Sequence, residues 1–522
     1  MSPLGLPLNR RATLLGGLSL AGLSLSTLPG CGRRDAPQGD LLRVAIGGMP
    51  DSLDPAIGQF ATSALVYKQI HGPLTDYGPE GGVVPGLATD WSANENATRW
   101  TFRLREGLQW SDGIPLTAQD VVWSAQRIVD PSSTFAQIGD FYSVVNAPEV
   151  LRGEAPPEAM GVRATGPLTV EFELSSPLSF LPLLMREFYP FPRHAIEAHG
   201  SGWTRPEHFV GCGPFVVSGA GALSLQLRRN PRAWNPARIE NVHIEAVEDP
   251  ATRQRLFRAG DYDLADNPMA NQIDLLRRQI GEQLHAYTAP KFTYLKCNRD
   301  RVDAGTRQRC ADAIDRAFIA DNLLPGVAAP TETIIPGSEF TSSVLATIAV
   351  QREGAPLLLR CLSGERERIA VVVADDWRRA GIEVDILATP ATELYQAVDA
   401  GDYDVALAHF DRGLKSEPNF MLEPFAPGQF ADNMNWYSSG DAAAADFAAI
   451  VERARAAVDR AERDDLYQQA ERLILSENIV IPLFHERAFW LISDRVEGLP
   501  QAIQPMLWGE AELSDDTVRI EG

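Results

Sequence analysis

The strongest constraint on the fold is a change of hydrophobic period along the chain. Short runs of alternating apolar and polar residues fill the first half. In the clearest run, "WTFRLREGLQW" (100–110), Trp100, Phe102 and Leu104 share one face. An alternation of period two is typical of half-buried strands. Further runs of this kind are "LLRVAIGG" (41–48), "LTVEFEL" (168–174) and "LSLQLRR" (223–229). They predict strands of antiparallel or mixed sheets, separated by Gly, Pro and Asp turns.

Helical periodicity dominates near the C-terminus. In "DDLYQQAERLILSE" (464–477) the apolar residues Leu466, Ala470, Leu473 and Ile474 form one stripe of a helix. The preceding "DAAAADFAAIVERARAAV" (441–458) is rich in strong helix formers, and Asp441 is a suitable cap. The two segments predict a helical hairpin that serves for packing. Residues 338–356 show no clear period in their first part and predict a linker or a weakly specified helix.

Length and charge restrict the class of protein. A chain of 522 residues with 45% hydrophobic residues predicts two to four domains. The formal net charge is −22, and without residues 1–30, which hold two arginines and no acids, it is −24. Binding to phosphate groups requires clustered Lys and Arg, so nucleic acid and anionic membrane surfaces are not expected as general partners.

The five cysteines are few and widely spaced, and none form a CxxC pair. A disulfide scaffold and a thiolate metal site are therefore not expected. If Cys31 is chemically modified, four cysteines remain, and either one or two bridges or buried free thiols are compatible with them.

The N-terminus has the order of an export signal. Arg10 and Arg11 precede an apolar Leu/Gly/Ser/Ala segment that ends in "LPGC" at Cys31. "LPGC" resembles a bacterial lipobox, which predicts lipidation of Cys31 and anchoring to a membrane; a plain secretory signal or a disordered leader that ends near a cysteine is the alternative. "NRRATLL" is similar to a degenerate twin-arginine signal. The polar "GRRDAPQGD" after Cys31 predicts a short tether.

Motifs for catalysis or metal binding are not found in the sequence. There is no HExxH, no Walker-type phosphate loop and no GxSxG nucleophile elbow. His194 and His199 are five residues apart and do not share a helix face as ligands at i and i+4 would. "GCGPF" (211–215) lacks a third glycine and predicts a tight turn before a strand at 215–218. These observations favour binding over catalysis.

Several blocks of sequence resemble one family in its own order. They include "MPDSLDP" (49–55), "WTFRLREGLQWSDGIPLTAQDVVWS" (100–124), "VGCGPFVV" (210–217), "GDYDVALA" (401–408) and "LYQQAERLILSENIVIPLF" (466–484). From Leu41 onward the chain resembles the solute-binding proteins of bacterial ABC importers, in the family that takes up dipeptides and oligopeptides. "DPSSTFAQIG" and "GWTRPEHFVGCGPF" are similar to the oligopeptide branch.

This resemblance implies an α/β, periplasmic-binding-protein-like fold, with two α/β lobes around a ligand cleft and a smaller inserted domain. It divides the chain into an export signal (1–30), a tether (31–40), lobe I (41–76, 170–290 and 488–522), inserted domain II (77–169) and lobe III (291–487). The lobes would close on the ligand about a hinge.

The resemblance also implies ligand-binding residues. Asp411 is the first candidate for the partner of a peptide's α-ammonium group and Glu417 the second; an ordinary solvated loop acid is the alternative for both. Further candidates lie in a loop that borders the cleft and after the first strand, where glycines allow a ligand to approach closely. These are Asn435, Trp436 and Tyr437, with interlobe packing as the alternative for the two rings, and Gly47, Gly48 and Met49.

The function implied is an exported receptor that hands peptides to an ABC permease in the inner membrane. It would work as a monomer in the periplasm or at the cell surface, without cofactor, metal or catalytic residue. A receptor for a non-peptide solute, and a sensor or enzyme on the same scaffold, remain the alternatives.

Overall fold

The computed structural model describes residues 40–58, 60–78, 82–133, 138–338, 355–411, 417–426, 442–499 and 512–513. Among the described helices, none combines the length and the apolar character needed to cross a bilayer.

Strands predicted from alternation are present. The strands are β1 (Leu41–Ile46), β2 (Thr75–Tyr77), β3 (Val83–Pro85), β4 (Ala88–Ala93), β5 (Arg99–Leu104), β6 (Val162–Gly166), β7 (Thr169–Glu173), β8 (Phe215–Ala220), β9 (Ser224–Arg229), β10 (Asn241–Ala246), β11 (Leu264–Asp266), β12 (Leu284–Cys297), β13 (Ala328–Pro330), β14 (Leu357–Leu362), β15 (Val384–Thr389), β16 (Val405–Asp411), β17 (Val480–Ile492), β18 (Val496–Glu497) and β19 (Glu512–Leu513). In β5, Trp100, Phe102 and Leu104 are buried while Arg103 is exposed, which confirms the predicted face.

The helices are α1 (Ala61–Ile70), α2 (Ala118–Ile128), α3 (Ala147–Leu151), α4 (Leu181–Leu184), α5 (Arg193–His199), α6 (Pro250–Arg258), α7 (Ile273–Ile280), α8 (Ala304–Asp312), α9 (Arg316–Leu323), α10 (Glu365–Arg379), α11 (Ala391–Asp399), α12 (Asn419–Leu422), α13 (Ala442–Ala456) and α14 (Arg460–Ser476). The predicted helical hairpin is confirmed as α13 and α14, with Leu466, Ala470 and Ile474 buried. Asp459 caps α14 by accepting from the Glu462 N–H at 2.9 Å, whereas the proposed cap of α13, Asp441, lies outside the described residues.

One large sheet organises the molecule. Among the described residues it holds eleven strands in the order β15, β14, β16, β12, β17, β11, β1, β10, β9 and β8, with β13 paired to β17. A separate sheet has the order β4, β5, β7, β6. Its strands β4, β5 and β6 lie within the span predicted for inserted domain II (77–169), and β7 begins at the last residue of that span. The mixed α/β class is confirmed, while the boundaries of the three domains stay a prediction.

Apolar side chains fill three main cores. The largest packs the β1 region against the four-stranded sheet and includes Val44 and Phe102. A second lies under β14, β16 and α10 around Trp377, and a third joins β12 to the helical hairpin around Tyr467. The long strands β12 and β17 contribute to more than one core, so they connect the parts of the sheet.

The "GCGPF" segment forms the turn before β8, as predicted. A Cβ atom on Gly213 would lie 2.6 Å from the carbonyl carbon of Ile70, closer than real Cβ contacts allow. Glycine is required here because two backbone segments touch.

Candidate functional site

Two groups of parallel strands lie on either side of the β12–β17 pair. The first strand group is β10, β1 and β11, and the second is β15, β14 and β16. Both groups join the central pair through antiparallel contacts, β11 with β17 and β16 with β12. The two groups therefore run in opposite directions within one sheet.

The register places their carboxyl ends face to face. The last residue of β16, Asp411, is opposite Lys291, and the last residue of β11, Asp266, is opposite Trp490. Between these points the β12–β17 register shifts, from the Thr288 pair to the Phe292 pair. We call the region between the Asp266–Trp490 pair and the Asp411–Lys291 pair the crossover. Ligands of open α/β sheets bind beyond the carboxyl ends of the strands, and here two such edges are directed at the same place.

Three candidates, Gly47, Gly48 and Met49, follow β1 directly and lie at the carboxyl edge of the first strand group. A Cβ on Gly48 would meet no atom within 4 Å, and neither glycine has a positive φ. The two glycines are thus not demanded by backbone strain or crowding in the protein itself, which leaves close approach of a ligand as a reason for them.

Asp54 anchors the segment that continues from Met49. Its buried carboxylate accepts from the Arg127 guanidinium at 2.8 and 2.5 Å, from the Trp203 indole N–H at 3.0 Å and from the Ala56 N–H at 3.0 Å. Burial acts to raise the pKa of Asp54, but these donors outweigh it and lower the pKa. The carboxylate therefore fixes this edge of the crossover to α2.

On the other side, Arg366 links the second strand group to the crossover. It lies in the first turn of α10 and donates to the Thr293 hydroxyl and to Glu486, both at 2.7 Å. The Arg366 and Glu486 side chains are 23% and 18% exposed. A partly accessible charge of each sign is thus present where the two edges meet.

His485 adds a buried imidazole to the crossover. Its ring centroid lies 5.2 Å from that of Phe292, and burial lowers its pKa to about 4. The ring is therefore neutral at neutral pH.

Some predicted ligand residues have described positions and others do not. Asp411 ends β16 at the crossover, and its side chain lies outside the described parts. Glu417 is buried and pairs with Arg463 at 2.9 Å, so it already has a structural partner. Burial is the main cause that raises the pKa of Glu417. Asn435, Trp436, Tyr437 and Cys31 lie outside the described residues.

The cysteines and histidines form no metal centre in the described ranges. His194 bonds to Asp112 at 2.8 Å, and His199 stacks on His208 with centroids 3.9 Å apart. Four cysteines, Cys212, Cys297, Cys310 and Cys361, are free and buried, so of the two options left by the sequence the structure has free thiols.

Sequence reasoning missed Asp54, Arg366 and the buried Arg253, which binds Asp266 at 2.8 Å. Asp54 was inside a quoted family block, "MPDSLDP", but its partners Arg127 and Trp203 are 73 and 149 residues away. No local pattern signals such contacts.

The fold and the crossover define a binding protein with a periplasmic-binding-protein-like architecture. The chain belongs to the bacterial extracellular solute-binding proteins, family 5: the model described as "family 5 Middle" matches residues 82–347, just over half of the chain.

Curated relatives match over most of the chain. The probable deoxycholate-binding periplasmic protein YgiS of Escherichia coli is 26% identical over 484 residues, covering 86% of this chain and 89% of the relative. The periplasmic oligopeptide-binding protein OppA of Escherichia coli is 25% identical over 473 residues, covering 84% and 86%.

Solved structures share the fold. The periplasmic murein tripeptide-binding protein MppA in its unliganded open form has a TM-score of 0.79 at 23% identity, covering 91% of this chain and 98% of that one. OppA of Haemophilus influenzae in complex with RPPGFSPFR has a TM-score of 0.68 at 21% identity, covering 91% and 99%. The predicted family and fold are thereby confirmed.

Proposed function

We propose that this protein is an exported receptor that captures peptides at the crossover and delivers them to an ABC permease. The observation that carries the proposal is the convergence of two carboxyl edges on one place in the sheet. Family membership supports a solute-binding role, and relatives named for oligopeptide binding support a peptide as the solute.

The proposed binding mode uses the peptide backbone. An extended peptide would pair with strand edges on both sides of the crossover, where Gly47, Gly48 and Met49 offer main-chain groups. Asn435, Trp436 and Tyr437 would contribute hydrogen bonds and ring faces. Peptide side chains would face water-filled pockets, because bridging water adapts to different residues, and specificity would be broad.

Charged groups would hold the peptide ends. Asp411 remains the first candidate for the α-ammonium group, because Glu417 is already paired with Arg463. Arg366 and Glu486 are further charged candidates: they pair with each other at 2.7 Å, but their side chains are 23% and 18% exposed, whereas that of Glu417 is 10% exposed.

The Asp411 assignment is tested with a matched pair of variants. We expect Asp411→Asn to weaken peptide binding more than tenfold, about 1.4 kcal/mol, and Glu417→Gln to change affinity less. Isothermal calorimetry with a tri- to pentapeptide pool measures both. Equal affinity of Asp411→Asn and wild type would show that Asp411 does not bind the ammonium group.

A non-peptide solute is the second candidate. One relative is named as a probable deoxycholate-binding protein, and deoxycholate is an amphipathic carboxylate without an ammonium group. Mass spectrometry of the ligand released on denaturing protein from its native host separates the two. Calorimetry with the peptide pool and with deoxycholate adds a direct comparison: heat with deoxycholate alone would reject the peptide receptor.

We further propose that the protein is monomeric, has no catalytic activity and no cofactor, and is divided into the three domains given above. An enzyme on this scaffold would turn over peptide substrates, whereas a receptor returns them intact. Incubation with the peptide pool followed by mass spectrometry distinguishes these outcomes.

The location completes the proposal. The relatives reported above are named as periplasmic, and we place this protein in the periplasm or at the cell surface, lipid-anchored through Cys31 and exported by a degenerate twin-arginine signal. Labelled palmitate should enter the wild-type protein and not Cys31→Ser. Labelling that persists in Cys31→Ser would reject the anchor.

A further inference from the structure

A buried arginine lies next to the carboxyl ends of β10, β1 and β11, which together we call the first carboxyl edge. Arg253 is in α6 and is only 3% exposed. Its guanidinium donates to the carbonyl oxygens of Asp266 at 2.9 Å, Asn267 at 3.1 Å and Glu248 at 3.3 Å, and also to that of Val247. Its Nε lies 2.8 Å from the Asp266 carboxylate. One side chain thus hydrogen-bonds both to the backbone that follows β10 and to the backbone at the end of β11.

The end of β1 is tied to the same side chain. The Val247 N–H donates to the Ile46 carbonyl at the end of β1 at 2.9 Å, and the Val247 carbonyl accepts from Arg253. A Cβ on Gly47 would lie 3.6 Å from the Arg253 guanidinium. Arg253 therefore connects the carboxyl ends of all three strands of the first group.

The backbone held by Arg253 includes one unfavourable conformation. Asn267 has a φ of 41°, in the left-handed region. Such residues persist where their surroundings fix them, and here Arg253 binds the Asn267 carbonyl while the Asn267 N–H donates to the Phe489 carbonyl at 3.1 Å.

We infer that Arg253 is a positioning residue of the cleft: it fixes the first carboxyl edge in its binding geometry before a ligand arrives. The part of the inference that concerns ligand affinity rests on the proposed function. Without Arg253 the edge would be in its competent form for only a fraction of the time, and the apparent dissociation constant rises by the inverse of that fraction. A lysine cannot replace it, because an ammonium lacks the planar fork that reaches several carbonyls at once.

The experiment compares Arg253→Lys with wild type in two measurements. The first is amide hydrogen exchange of the ligand-free protein at Val247 and Asn267, whose N–H groups donate to the Ile46 and Phe489 carbonyls in the structure. We expect faster exchange there, with unchanged exchange at Val44 inside β1. The second is the affinity for the tightest-binding peptide of the tri- to pentapeptide pool, which we expect to fall about tenfold or more.

Arg307→Lys is the matched control. Arg307 is 2% exposed and donates to the Glu477 and Val302 carbonyls at 2.8 and 2.7 Å, near the end of β12 that is remote from the crossover. We expect it to lower the unfolding midpoint without altering peptide affinity or exchange at Val247 and Asn267. Asp266→Asn is a second variant, which removes the carboxylate 2.8 Å from the Arg253 Nε and should accelerate exchange at Asn267 even if Arg253→Lys fails to fold.

Three results have distinct meanings. Unchanged protection of Val247 and Asn267 in Arg253→Lys overturns the inference whatever the ligand is. Faster exchange with no larger loss of affinity than in Arg307→Lys also overturns it. If wild-type protein binds no member of the pool, the proposed peptide function fails, while the exchange measurement still decides whether Arg253 fixes the edge.

Discussion

Replacing Asp54 by asparagine should destabilise the protein and do so in a pH-dependent way. The buried carboxylate of Asp54 accepts four hydrogen bonds, three of them from Arg127 and Trp203 side chains. An asparagine keeps one oxygen and turns an NH2 group toward a donor. Hydrogen bonds to charged groups contribute about 1.5–3 kcal/mol each, and Arg127 remains 21% exposed to water. We therefore expect a loss of about 3 kcal/mol at pH 7.

The pH dependence follows from the lowered pKa of Asp54. The unfolded carboxyl titrates near about 3.9, and the folded one at a lower pH. Its contribution to stability is therefore complete above about pH 5 and is lost as the pH falls through the unfolded and then the folded pKa. The difference between wild type and Asp54→Asn should shrink as the pH falls below about 5.

Guanidinium unfolding followed by tryptophan fluorescence measures the difference at each pH. Asp303→Asn is the control, since Asp303 caps α8 by accepting from the Thr306 N–H at 2.9 Å and asparagine caps equally well. Its stability should match wild type within about 0.5 kcal/mol. Equal midpoints of Asp54→Asn and wild type at pH 7, or a difference that is undiminished at pH 3, would refute the reasoning.

Three further predictions concern the edge, the thiols and the histidines. Gly48→Ala should leave the unfolding midpoint unchanged, because its Cβ site is open, while peptide affinity in calorimetry falls; unchanged affinity would remove Gly48 from the site. In Cys31→Ser, Ellman's reagent should label no thiol of the native protein and four after unfolding, since all four are buried; rapid native labelling would contradict this. Burial lowers the pKa of His71 and His485 to about 4, so stability should fall from about pH 6.5 to pH 4 by about 3 kcal/mol for each; His71→Gln and His485→Gln should each flatten the measured curve.

Local patterns were sufficient for the elements whose signal lies within a few residues. The alternation in residues 100–104 became β5, and the apolar stripe of residues 466–474 became a buried face of α14. In both cases the apolar residues share one face of a regular element, and that face can be recognised from their spacing in the sequence alone.

The crossover could not be read in the same way. It depends on the pairing of Phe292 with His485 and of Lys291 with Asp411, which join segments more than a hundred residues apart. Arg253 illustrates the point: in the sequence it is one of several arginines in "RQRLFR", and only the fold brings it behind Gly47. The family resemblance supplied a cleft between lobes, but not the residues that hold its edges.

The contacts of Glu417 bear on which acid receives a peptide's ammonium group. Arg463 binds Glu417 and also the Ala457 carbonyl at 3.1 Å, and the neighbouring Arg455 donates to Ser143 at 3.0 Å while its carbonyl accepts from the Ser179 N–H at 2.7 Å. The helical hairpin is thus fastened to the chain around residues 143–179 through this charged cluster.

An ammonium group arriving at Glu417 would have to displace a guanidinium already 2.9 Å away and leave Arg463, whose side chain is only 12% exposed, without its carboxylate, which is costly. If Glu417→Gln weakens peptide binding, the fold should weaken with it. Asp411→Asn should weaken binding alone, because nothing in the proposed role of Asp411 requires it to hold the hairpin. A stability loss in Asp411→Asn as large as that in Glu417→Gln would contradict this division between a ligand acid and a structural one.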